Sequence, residues 1–60
     1  MKASDAKKFI GQFVRYQKLG YGWRYGVVVE TRGRNIIMEH DALWAPDIIR
    51  MELAEEEARK

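Results

Sequence analysis

Cysteine is absent, proline and histidine occur once each, and serine and threonine are limited to Ser4 and Thr31. Without cysteine there is no disulfide framework and no thiolate metal site, and His40 alone cannot build a zinc cluster. An acyl-transfer triad would need Ser4, close to a chain end that frays. Long hydrophobic runs are also missing. No segment approaches the roughly 18 apolar residues that cross a bilayer, and Met1-Lys2 leads into no apolar signal segment. These absences lead us to expect a cytoplasmic protein with no cofactor, no metal, no membrane partner and no small-molecule substrate. The chain should bind rather than catalyse, with no catalytic residues of its own; a pore shared between copies is the one arrangement that leaves an enzyme open.

Two weaker constellations point the same way. Glu39 and Asp41 share a face of an extended segment while His40 points to the other, so the three do not converge on one metal. Bonding the Arg-rich loops or capping the turn at Ala42 is the simpler role for the two carboxylates. Gly20-x-Gly22 lacks the spacing of a phosphate loop and its Lys-Ser or Lys-Thr ending.

The 60 residues make one domain, 1–60. A domain of this size buries only about 60% of the surface its unfolded chain exposes. Nearly every large apolar side chain must therefore join the core, and a homodimer would relieve the shortage. The net charge of +2 conceals a polarity. Residues 1–34 hold eight Lys or Arg against two acids, a balance of +6, and residues 35–60 hold three against seven, a balance of −4. Segregated charge either steers an anionic partner to one face or is neutralised by folding the acidic half onto the basic half.

The richest stretch is Gly20-Tyr21-Gly22-Trp23-Arg24-Tyr25-Gly26-Val27-Val28-Val29, a glycine-punctuated aromatic turn running into a β-forming segment. Around it the pattern predicts a short helix over 4–10, capped by Ser4 and stopped by Gly11, with Phe9 and Ile10 docking on the rest. A strand follows over 12–18, with Val14 and Tyr16 on one face and Phe13, Arg15 and Gln17 on the other. The next strand, 23–31, carries three successive valines, which predicts apolar cover on both its faces. Gly33 marks a hairpin into a strand over 35–40. Residues 41–47 read as a helical turn or loop because of Pro46. A last strand over 48–53 should point Ile49, Met51 and Leu53 inward and Arg50 and Glu52 outward. The tail from Ala54 reads as helical, with Glu55–Arg59 and Glu56–Lys60 as favourable i, i+4 pairs.

Gly11-x-x-Val14-x-Tyr16, the Gly22–Val28 junction, the Gly33 hairpin and the Pro46 turn together resemble an SH3-like small barrel over residues 11–53, nearest in pattern to KOW and Tudor-type modules. Gly22 and Gly26 stand one residue farther apart than in the KOW pattern. An acidic first loop and tandem tryptophans are both missing, so the resemblance does not extend to domains that read proline-rich peptides. It implies a mostly β fold, a small barrel of four to five antiparallel strands with a short N-terminal helix and a polar helical tail. The KOW likeness implies RNA or transcription machinery as partners. The Tudor likeness implies an aromatic cage from Tyr21, Trp23 and Tyr25 that would hold a cation.

Two surfaces are expected to act. Arg15, Lys18, Arg24, Arg32 and Arg34, with Arg50 as a further member, interleave with Tyr21, Trp23 and Tyr25, the combination with which proteins neutralise phosphates and stack bases of DNA or RNA. Alternatively Phe13, Val27, Val29, Trp44 and Ile48 form an apolar face for a protein partner or a second copy of the chain.

Overall fold

A spacing of three residues, rather than 3.6, organises the N-terminus. Side chains at i and i+3 eclipse in a 3₁₀ helix, and Ala3, Ala6 and Phe9 recur at that interval. The computed structural model, which describes residues 1–55, forms a 3₁₀ helix over Ala3–Phe9 with all three side chains buried. The expected start at Ser4 is therefore corrected. Burial of Ala3 draws the helix start forward, Lys2 is the extended residue before it, and no side chain caps it. The expected stop holds: Gly11 takes a φ of 83° and donates its N–H to the Val28 carbonyl at 2.7 Å. Ile10 does not dock with Phe9 but remains largely exposed, because it lies off the Ala3–Ala6–Phe9 stripe.

Five antiparallel strands follow: β1 (Phe13–Lys18), β2 (Gly22–Arg32), β3 (Asn35–Met38), β4 (Ala42–Trp44) and β5 (Ile48–Leu53). They lie in the order β4-β3-β2-β1-β5 in one sheet. The fold is mostly β as expected, but the sheet is open, because β4 and β5 occupy opposite edges and share no ladder. A single 3₁₀ turn, Ala45–Asp47, joins them. Gly33-Arg34 links β2 to β3 in a two-residue turn between the paired Arg32 and Asn35. A φ of 55° at Gly33, with no positive φ at Arg34, matches the type II′ pattern that suits the strand twist.

Bulges decide which side chains reach the core. Between Val28 and Glu30 the β2–β3 register shifts, so Val29 and Glu30 together oppose Ile37. Val28 is consequently buried with Ala3, Ala6 and Phe9, whereas Val29 is 46% exposed; apolar cover on both faces of the valine segment does not occur. A second shift, opposite Gln17 and Lys18, makes Ile49 the additional residue of β5. Ile48 falls to 1% exposure and Ile49 rises to 53%. The expected inward set is corrected accordingly: Ile48 enters the core, Met51 packs against it, and Leu53 is exposed at the strand end.

Residues 41–47 hold the expected helical turn, at Ala45–Asp47, and before it a strand that was not expected. Leu43 pairs with Ile36 across β3 and β4 and both are buried, so one leucine directs a strand too short to show an alternating pattern. Asp41 accepts a hydrogen bond from the Ala42 N–H at 2.8 Å, the capping role expected of it. Val14, Tyr16, Ile36, Met38, Leu43 and Ala45 complete the core. The N-terminal ammonium of Met1 donates to the Ile48 carbonyl at 2.6 Å. Among the described residues no helix is long and apolar enough to cross a membrane. Ala54 and Glu55 carry no helix, and the rest of the expected helical tail, 56–60, lies outside the described residues.

Candidate nucleic-acid interface

Val14 and Tyr16 face the core, so the period of two turns Phe13, Arg15 and Gln17 to the opposite side of β1. The antiparallel register sets Tyr25 beside Arg15 and Trp23 beside Gln17 on β2, and Glu52 beside Arg15 and Arg50 beside Gln17 on β5. Three strands thus bring cationic and aromatic side chains onto one outer face.

The contacts on this face are specific. The Arg15 guanidinium carbon stands 4.9 Å from the Trp23 ring centroid, a diagonal cross-strand approach within the range of cation–π attraction. Its Nε and Nη2 each lie 2.6 Å from Glu52 Oε1. That carboxylate holds the guanidinium in place and offsets its charge. Phe13 stacks on Tyr25 with centroids 5.9 Å apart and planes 15° from parallel, which buries Phe13 yet leaves Tyr25 47% and Trp23 43% exposed.

The β1–β2 turn forms a second cluster. Gly20 and Gly22 take φ of 82° and 75°, allowing the chain to reverse around the exposed Tyr21. Lys18 Nζ lies 4.7 Å from the centroid of that ring and the Arg24 guanidinium 5.8 Å. Arg24 pairs with Tyr16 in register, so it leaves β2 on the core side and reaches the tip, away from Trp23. Arg32 and Arg34 are at the opposite end of β2, around the Gly33 turn. Arg32 Nε bonds Glu30 Oε1 there at 2.6 Å. The cations expected to make one basic face therefore divide between the two ends of β2, and Arg50 joins the end that carries Trp23. Its outward place is the one expected from alternation with Glu52, because Arg50, Met51 and Glu52 pair in regular register with β1 and the bulge lies beyond them at Ile49.

The apolar face expected from sequence does not assemble as a patch. Ile48 is in the core and Phe13 beneath Tyr25, so neither presents surface, while Val29 and Trp44 are exposed and Val27 half-buried. The Ile48 assignment is corrected: the bulge that turns Ile49 outward turns Ile48 inward. Tyr21, Trp23 and Tyr25 do not enclose a common space either, since Tyr21 belongs to the turn cluster and the other two to the outer face.

Near the end of β3, His40 Nε2 lies 3.5 Å from Glu39 Oε1. Tyr16, nearly buried beside this segment, has its phenol pushed above the ordinary value by burial first and by the Asp41 carboxylate second, with Arg24 acting in the opposite sense. Among the described residues no group of three or more His, Cys, Asp or Glu could hold a metal ion. The chain matches no protein-family model, no curated protein and no solved structure.

Proposed function

We propose that this chain is a small non-catalytic binding module that holds an unpaired nucleic-acid strand on its outer face. The observation that carries this reading is the Arg15–Trp23–Tyr25 arrangement, two half-exposed rings beside a guanidinium anchored at 4.9 Å from one of them. Bases of a duplex are already stacked on one another, whereas unpaired bases can lie on exposed rings for roughly 1–3 kcal/mol each. Lys18, Arg24 and Arg50 supply the phosphate contacts. Arg15 contributes less net charge because Glu52 is bonded to it. A meander whose two edge strands are joined by a 3₁₀ turn also supports reading the sheet as an SH3-like small barrel.

Tryptophan fluorescence tests the proposal directly. In a Trp44→Phe variant Trp23 is the sole indole, and titration with a short oligothymidylate should give saturable quenching that weakens with added salt. Trp23→Ala should weaken binding measured by oligonucleotide anisotropy by about 5- to 150-fold, the factor that 1–3 kcal/mol represents. Duplex of the same length should bind more weakly. Absence of any anisotropy change at low salt would overturn the reading.

A further inference from the structure

The sheet ends on β5, whose outer edge pairs with no other strand among the described residues. The Ala54 N–H donates to the Phe13 carbonyl at 3.0 Å, so alternation along the strand turns the peptide groups of Glu52 and Arg50 toward β1 and those of Met51 and Leu53 toward the open edge. At Ile48 that edge is already taken, since its carbonyl accepts from the Met1 ammonium and its N–H donates to the Ala45 carbonyl. The stretch from Ile49 to Leu53 remains for a further strand. An open row of this kind is a template for another chain.

The order of side chains on this edge selects the partner. Ile49-Arg50-Met51-Glu52-Leu53 is matched about its centre: turned end for end, it sets arginine opposite glutamate and isoleucine opposite leucine. A second copy related by a two-fold axis at Met51 therefore brings Arg50 against Glu52 twice and Ile49 against Leu53 twice. Arg50 and Glu52 fall at positions without mutual backbone bonds, where side chains across an antiparallel pair stand closest. Arg50 makes no ion pair among the described residues. Glu52 holds Arg15 through Oε1, and its carboxylate has lone pairs for a further donor. Ile49 and Leu53 are 53% and 62% exposed, and each covers the other in this register. Charges on an edge ordinarily repel foreign strands, but these two answer a second copy of themselves. The opposite edge offers no such match, because β4 is Ala42-Leu43-Trp44 and carries no charge to meet Arg50 or Glu52.

We infer that β5 pairs antiparallel with β5 of a second copy of the chain, centred on Met51, and joins the two sheets edge to edge. Met51 exchanges both backbone hydrogen bonds with its counterpart. Paired side chains share a face, so both outer faces lie on one side of the joined sheet. Across it a row runs through Arg15 and Glu52 to Arg50 and Gln17 of the second copy. The contact is short and belongs with the weak, transient class of interfaces, which predicts a dissociation constant on the order of 0.1 mM. This pairing needs only β5 and holds whether or not the outer face binds a nucleic-acid strand; Arg50 is the one residue common to both.

The test is sedimentation equilibrium of the full chain, without nucleic acid, over a concentration series that brackets this value. A monomer–dimer equilibrium is expected. Arg50→Glu and Glu52→Arg should each weaken it by about tenfold or more, because each reversal sets like charges opposite one another at two places. An equimolar mixture of these two variants should associate again, since position 50 of either then faces a position 52 of opposite charge. Amide spectral dispersion reports folding of each variant. If Glu52→Arg unfolds beside Arg15, the wild-type chain still decides: exchange of the Met51 and Leu53 amides with solvent should slow as concentration rises. A monomer at every concentration, growth beyond a dimer, association untouched by both reversals, no recovery in the mixture of folded variants, or amide exchange at Met51 and Leu53 independent of concentration would each overturn the assignment.

Discussion

Ile48 and Ile49 are adjacent and chemically identical, but only the first is covered, and substitution should separate them. Ile48→Ala is expected to cost about 2–5 kcal/mol through lost burial and the cavity left behind. Ile49→Ala should stay within about 0.5 kcal/mol, as exposed positions do; urea unfolding of the two variants checks both. Tyr16 carries a pH signature. Its phenol is pushed above 10.0 in the folded protein, so the unfolded chain releases this proton first as pH rises. Its contribution to stability is fully present below pH 10.0 and is lost as pH climbs through the folded value. Tyr16→Phe should flatten the decline in melting temperature above that pH. At the outer face, Glu52→Gln should release the charge of Arg15 at little cost, since exposed ion pairs contribute about 0–1 kcal/mol, and oligonucleotide binding should tighten and become more sensitive to salt.

At the scale of elements, the N-terminal 3₁₀ helix rests on two alanines that allow a close approach to the sheet. Ala6 is fully buried, so Ala6→Leu should cost about 1–3 kcal/mol by overpacking, seen as a lowered urea midpoint with an unchanged slope. Four strands were legible in the residues: β1 and β2 through their alternating and valine-rich patterns, β3 through the Gly33 hairpin that leads into it, and β5 through Ile48 to Leu53. The outer-face set of Phe13, Arg15 and Gln17 was legible with them, because period two follows from backbone geometry. The 3₁₀ helix was half legible, since Gly11 marks its end but the i, i+3 repeat of Ala3, Ala6 and Phe9 is weak beside an α-helical pattern. β4 was not legible. Three residues cannot display alternation, and only the pairing of Leu43 with Ile36 makes them a strand.

For the molecule as a whole, the length of β2 separates the basic residues into two groups. Arg24→Ala or Arg50→Ala should reduce both affinity for a short single strand and the slope of its salt dependence by roughly one phosphate contact each. Arg34→Ala, at the far turn, should change neither until the strand is long enough to reach it; a length series of oligonucleotides read by anisotropy makes the comparison. The charge polarity seen in the linear chain is redistributed in three dimensions. Glu52 from the acidic half sits on Arg15, whereas Glu39 and Asp41 line an open cleft together with His40 and Tyr16. Local chemistry by itself determined the glycine turns, the alternating faces of β1 and β2 and the mostly β character, since these depend on backbone dihedral preference and on a side-chain period of two. Only the tertiary structure decided the two register shifts, and with them which isoleucine is buried; it also decided which rings share a face. A bulge is set by how distant strands pack against one core, and the residues flanking it carry no local mark of that choice.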